Sequence, residues 1–171
     1  MNFQNIDLSK ISYEIVENPP HVKMTYQKKD LEINCPVMSI PFGVDSIYNK
    51  YYIKLQFDDF KQDIEMEGFF NLLMLIEQHI EDFLESNIDE NIDMVSEFGF
   101  KDKFDPTLST KLISYNGKIK TKIINKNGSE LNHWDLKKRS KVKCKISLNG
   151  IWKVKEKFYY KWNLVEIKLL D

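Results

Sequence analysis

Lysine occupies every second position in three segments of this sequence. In Lys118-Ile119-Lys120-Thr121-Lys122-Ile123 the lysines hold one parity, and Lys141-Val142-Lys143-Cys144-Lys145-Ile146 repeats the arrangement. Lys153 and Lys155 likewise alternate with Trp152 and Val154. Successive side chains of a strand point to opposite faces, so each lysine set is expected outside, with Val142, Cys144, Ile146 and Leu148 inside. If the three segments share a sheet, eight ammonium groups line one surface and repel each other unless an anion lies across them. Lysines also protect edge strands from aggregation. With so few acids between them, these lysines exceed that need, and the chemistry they suggest is polyanion binding.

Aromatic neighbours decide which polyanion. Single-stranded nucleic acid exposes base faces that stack on Tyr, Phe and Trp for about 1 to 3 kcal/mol per base, whereas a duplex offers phosphates and groove edges. Between Phe158 and Leu169 the expected inward set is Val165, Ile167 and Leu169, which turns Tyr160 and Trp162 outward. The same parity sends Lys161 inward, which requires a bulge or an edge position, and leaves Tyr159 as an alternative platform. Tyr52 beside Lys54 is a second pair. Trp152 shares its parity with Val154 and is expected in the core.

Enzyme signatures are weak. The six glycines are too scattered for a phosphate-cradling loop, and there is no Gly-x-Ser-x-Gly elbow. His21, His79 and His133 have no local nucleophile or ligand partner. The carboxylates Asp58, Asp59, Asp63, Glu65 and Glu67 suit a helix cap and solvated loop; a Mg²⁺-dependent nuclease would need Asp58, Asp59 and Glu65 to converge. No metal or cofactor is expected.

The charge distribution separates the parts that carry these groups. Before Lys101 there are seven lysines against 19 Asp and Glu, a net charge of −12; from Lys101 onward 18 Lys and Arg face seven acids, a net of +11. Either an acidic portion is joined to a polyanion-seeking one, or the halves attract each other within one fold. The run Glu77, Glu81, Asp82, Glu85, Asp89, Glu90, Asp93 and Glu97 reads as a solvated helix face leading into an acidic loop, or as an internal competitor for the basic half. At 171 residues, 42% hydrophobic and 30% charged, the chain suits one globular domain, with an acidic portion 1–105 and a basic portion 106–171. It lacks Ala and has a single Arg, Arg139, a bias that reads as an A+T-rich genome. Cys35 and Cys144 are expected as buried free thiols. No secretory signal or apolar span is legible, so an intracellular place and no membrane partner are expected.

The elements follow from periodicity. Residues 12–57 read as strands broken by prolines, with Tyr51, Ile53, Leu55 and Phe57 alternating. From Asp63 to Asn87, Phe69, Leu72, Leu73, Ile76, Ile80, Phe83 and Leu84 repeat at helical spacing, with Asp63 as the cap. After Pro106, strands are expected near Thr110–Tyr115, Lys118–Asn125, Ser140–Leu148, Ile151–Lys155 and Phe158–Leu169. Asn116-Gly117, Asn127-Gly128 and Asn149-Gly150 read as hairpin turns. Strands, one helix, then more strands predict a mainly β fold with one long helix, an elaborated antiparallel OB-like barrel whose helix lies between its third and fourth strands.

The stretch Leu112–Leu169 resembles the C-terminal part of the OB-fold single-stranded DNA-binding proteins of large nucleocytoplasmic DNA viruses. The resemblance rests on Ile113-Ser114-Tyr115-Asn116-Gly117-Lys118-Ile119, on Leu136-Lys137-Lys138-Arg139-Ser140-Lys141-Val142, and on Gly150-Ile151-Trp152-Lys153-Val154 with Lys157-Phe158 and Trp162. It implies non-catalytic binding of single strands in viral DNA replication, in the host cytoplasm or a viral replication factory; the acidic first 100 residues fall outside it. The residues expected to bind are Lys118, Lys120, Lys122, Lys141, Lys143, Lys145, Lys153, Lys155, Tyr160, Trp162, Tyr52 and Lys54. The expected partner is single-stranded DNA, with RNA as an alternative strand and a homo-oligomer or replication proteins as further partners. The competing expectation is an interaction or structural protein whose basic face docks an acidic protein surface.

Overall fold

The structure is a computed structural model that describes residues 1–88 and 91–171. In chain order the strands are β1 (Ile11–Glu17), β2 (Pro20–Tyr26), β3 (Leu31–Ser39), β4 (Val44–Ile47), β5 (Lys50–Gln56), β6 (Met94–Val95), β7 (Phe98–Gly99), β8 (Thr107–Leu112), β9 (Ser114–Tyr115), β10 (Lys118–Ile119), β11 (Lys122–Ile124), β12 (Lys141–Leu148), β13 (Gly150–Val154), β14 (Lys157–Tyr160) and β15 (Trp162–Leu169). The helix α1 (Ile64–Asn87) falls between β5 and β6.

Five strands close on themselves. β12 pairs with β3, β3 meets β5 at Ser39 and Gln56, and β5 pairs with β8, all antiparallel. β8 then runs parallel to β15, and β15 returns antiparallel to β12. A three-strand meander, a parallel closure and a final antiparallel pair define an OB-like barrel. The expected fold class holds, with one difference in order: α1 joins the second and third barrel strands, not the third and fourth. Between the third and fourth lie instead the β9–β10 ribbon, β11 and a short 3-10 turn at His133–Asp135.

A second sheet, in the order β1-β2-β13-β14-β6, extends from the barrel. It explains a failed turn expectation. Asn116 and Gly117 both take positive φ and close the β9–β10 hairpin, and Gly128 also turns with positive φ. Asn149-Gly150, however, carries the chain from β12 in the barrel to β13 in the other sheet. Gly150 is needed there for space: an added Cβ would lie 3.0 Å from the Val22 carbonyl oxygen and from the Trp152 ring.

α1 forms where its cap and apolar face agree. Asp63 accepts hydrogen bonds from the Glu65 and Met66 amides, and Phe69, Leu73, Ile76, Ile80 and Leu84 are buried. Each such side chain contributes about 1.5 to 3 kcal/mol when removed from water. Phe69 meets Phe3 edge-on at 5.3 Å, which anchors the N-terminal residues to the helix. One hydrophobic cluster takes Met24 and Phe57 from the acidic portion together with Ile146 and Trp162 from the basic one. Cys35 and Cys144 are buried free thiols. Among the described residues no helix is long and apolar enough to cross a membrane.

The parity expected near the C-terminus is reversed by a bulge. Opposite β12, Lys145 pairs with Glu166 but Ile146 pairs with Leu164, so Val165 is an extra residue in its strand. Ile167 stays inward, and beyond the bulge the inward set becomes Leu164, Trp162 and Tyr160. Tyr160 and Trp162, expected as outward platforms, are each 1% exposed. Trp152, expected in the core, is 38% exposed, because Ile151 is the β13 residue that faces inward.

Candidate nucleic-acid interface

The outer surface of β5 and β8 is built by strand alternation. Ile53 and Leu55 fill the barrel together with Leu108, Thr110 and Leu112. The opposite parity brings Tyr52 beside Lys111, Lys54 beside Ser109, and Gln56 beside Thr107. Burial lowers the Lys111 pKa, and repulsion from Lys50 and Lys161 lowers it further. The Lys161 ammonium lies 5.5 Å from the Tyr52 ring centre.

Next to this face is a cavity of about 670 Å³ with three exposed phenylalanines on its walls, Phe42, Phe100 and Phe104. Basic side chains Lys54, Lys101, Lys138, Arg139 and Lys141 line the same groove. Two backbone bonds assemble it: the Arg139 amide donates to the Ile40 carbonyl at 2.6 Å, and the Ile40 amide to the Ser140 carbonyl at 3.0 Å. They lock the segment carrying Lys138 and Arg139 against the one carrying Phe42. The Lys54 and Lys101 ammonium groups each lie 5.9 Å from the Phe42 ring centre.

Phe100 is the outer end of an aromatic stack. Phe57 and Phe98 lie 5.9 Å apart and Phe98 and Phe100 6.3 Å apart, with interplanar angles of 23° and 20°. The inner rings are buried and Phe100 is 63% exposed. Gly99 lets this ribbon lie on β8, since a Cβ there would meet the Thr107 hydroxyl at 2.7 Å. Exposed rings among cations provide the two contacts a single strand requires, base stacking and phosphate pairing.

The residues expected from the sequence divide among several places. Tyr52, Lys54 and Lys141 belong to this side, and Lys141 pairs with Asp58 at 2.7 Å. Lys143 and Lys145 stand on the outer face of β12, opposite Lys168 and Glu166. Lys118, Lys120 and Lys122 line a separate cavity, and Lys122 pairs with Glu166 at 3.2 Å. Lys153 and Lys155 lie on the second sheet and its turn, with the Lys153 ammonium over Phe158. The eight lysines therefore form no single face: Lys118 lies on the β9–β10 ribbon, Lys122, Lys141, Lys143 and Lys145 on β11 and β12 of the barrel sheet, and Lys153 on the second sheet. Tyr160 donates a hydrogen bond to Glu77 within the core, and burial raises its pKa. Trp162 is buried with its indole N–H unpartnered among the described residues.

Sequence reading missed Phe42, Phe100, Phe104, Lys101, Lys138 and Arg139. The available signal was three phenylalanines in segments with no strand or helix period, each within three residues of a Pro or Gly. The acidic run is partly tied down: Glu97 pairs with Lys161, Asp93 with Lys157, and Glu77 accepts from Ser96. Asp89 and Glu90 lie outside the described residues. Asp58 is held by Ser39 and Lys141, Asp63 caps α1, and no three potential metal ligands gather among the described residues.

No family model matches the sequence, and no curated protein matches it. Solved structures do share the fold. The single-stranded DNA-binding protein from bacteriophage Enc34, in complex with ssDNA, is 13% identical with a TM-score of 0.55, over 91% of this chain and 92% of that one. Its C-terminally truncated form is 15% identical with a TM-score of 0.54, over 95% and 94%. The bacteriophage T7 single-stranded DNA binding protein gp2.5 is 14% identical, with a TM-score of 0.49 over 83% and 87%.

Proposed function

We propose that this protein binds single-stranded DNA without catalysis, in viral DNA replication inside the cell. The observation that carries the reading is the groove beside β5 and β8, where Phe42, Phe100 and Phe104 are exposed among Lys54, Lys101, Lys138 and Arg139. Bases stack on the rings while the cations pair with phosphates, and Tyr52 with Lys111 continues the track along the barrel. The outer face of the second and third strands is where OB barrels bind oligonucleotides. The shared fold with a phage protein solved in complex with ssDNA supports the same reading. An acidic protein partner would pair with the lysines but leave three exposed phenylalanines unused, so the groove favours bases.

Fluorescence anisotropy with labelled single-stranded and duplex oligonucleotides of equal length tests it. Single strands should bind more tightly, and Phe42→Ala with Phe104→Ala should lower that affinity while leaving weak duplex binding unchanged. Equal affinity for both forms, unaltered by the double substitution, would remove the stacking basis of the proposal.

A further inference from the structure

A second basic and aromatic site lies away from the groove. The β9–β10 ribbon, the link that follows it and β11 supply Lys118, Lys120 and Lys122 to one wall of a cavity of about 540 Å³, and Tyr51, Glu130 and His133 line the same space. Neither Lys118 nor Lys120 forms an ion pair among the described residues. Backbone bonds hold the walls: the Lys120 amide donates to the Ile113 carbonyl at 2.7 Å, and the Leu131 amide to Ile123 at 2.9 Å.

The Tyr51 and His133 rings of the cavity wall pack with a third ring, Trp134, which lies outside the lining itself. His133 lies 4.6 Å from Tyr51 and 4.2 Å from Trp134, and Tyr51 meets Trp134 edge-on at 6.0 Å. A capping box fixes the turn that carries them, since the Asn132 amide donates to Asp135 at 2.8 Å while Asn132 accepts from the Trp134 amide. Trp134 is nevertheless 62% exposed. Burial lowers the His133 pKa, so the ring is neutral at pH 7 and the positive charge here is that of the lysines.

A cavity walled by Lys118 and Lys120, which have no carboxylate partner among the described residues, and an exposed indole packed on the His133 ring of its lining match the chemistry of one nucleotide. We infer that this cavity is a second nucleotide subsite for single-stranded nucleic acid, with Lys118 and Lys120 on backbone phosphate and the Trp134 ring under a base. The inference rests on the single-strand reading of the groove and extends the bound length beyond it.

Oligothymidylates spanning about 4 to about 16 nucleotides, the range one such barrel occludes, test the inference with the full chain. Wild-type affinity should keep rising with length. Trp134→Ala, and separately Lys118→Ala with Lys120→Ala, should bind the shortest oligomer like wild type but bind the longest about tenfold more weakly. The lysine pair should also flatten the salt dependence for the longest oligomer by about 1.4 in log K against log salt. All these side chains are exposed, and circular dichroism melts verify the fold. Affinities unchanged at every length, or reduced equally at every length, overturn the second subsite while leaving the groove reading intact. No binding by the wild type at any length overturns both.

Discussion

Lys161 pairs with Glu97 at 2.5 Å, and the carboxylate side chain is only 6% exposed while the lysine side chain is 29% exposed. Burial raises the Glu97 pKa, and Lys161 opposes that rise. A raised carboxyl pKa means the folded state holds its proton more tightly than the unfolded one, so this group's contribution to stability falls as pH rises above the ordinary glutamate range. Lys161→Met should therefore cost about 3 kcal/mol at neutral pH, because it leaves a buried charge alone. The cost should shrink on acidification, and adding Glu97→Gln should recover most of it. Urea melts at about pH 5 and about pH 8 measure both effects.

The two C-terminal tryptophans should respond in opposite ways. Trp162→Ala opens a cavity in the barrel core and should cost about 3 to 5 kcal/mol. Trp152 stacks on His21 at the surface, and Trp152→Ala should cost about 1 kcal/mol or less. Denaturant unfolding of the two variants makes the comparison.

Salt dependence should identify the groove's cations. With Lys54, Lys101, Lys111, Lys138 and Arg139 on phosphates, log K for a single strand should fall against log salt with a slope of about −3.5. Lys101→Ala with Arg139→Ala should reduce the slope by about 1.4. Titrations at several salt concentrations read both values.

The cysteines should be silent in the folded protein. Burial raises both thiol pKa values, Cys35 well above the ordinary value of 9.0. Iodoacetamide at mildly alkaline pH should label neither in the native state and both in urea. Above about pH 9 the unfolded chain releases thiol protons that the folded one keeps, so stability should decline as pH rises further.

What the sequence reveals is set by how far each signal depends on local spacing. Helical periodicity and the Asp63 cap mark α1 almost to the residue, and the alternation in Lys141–Ile146 identifies the inward face of β12. The Val165 bulge is different: one extra residue inverts every assignment beyond it, and only the partner strand reveals it. The lysine sets illustrate a second limit, since alternation fixes which way a side chain points but not which sheet its strand joins. Phe42, Phe100 and Phe104 lie in irregular segments, where burial and exposure leave no period. Their convergence depends on long-range bonds such as Arg139 to Ile40.

The central claim is that a single strand lies in the phenylalanine groove, and photocrosslinking tests it most directly. Oligonucleotides carrying 5-iododeoxyuridine would be irradiated on the wild-type protein and the attached residues mapped by mass spectrometry. Crosslinks to Phe42, Phe100, Phe104 or Tyr52, lost on competition with unlabelled single strand but not with duplex, are the expected result. Crosslinks confined to the outer faces of β12 and the second sheet, with none in the groove, would contradict the account.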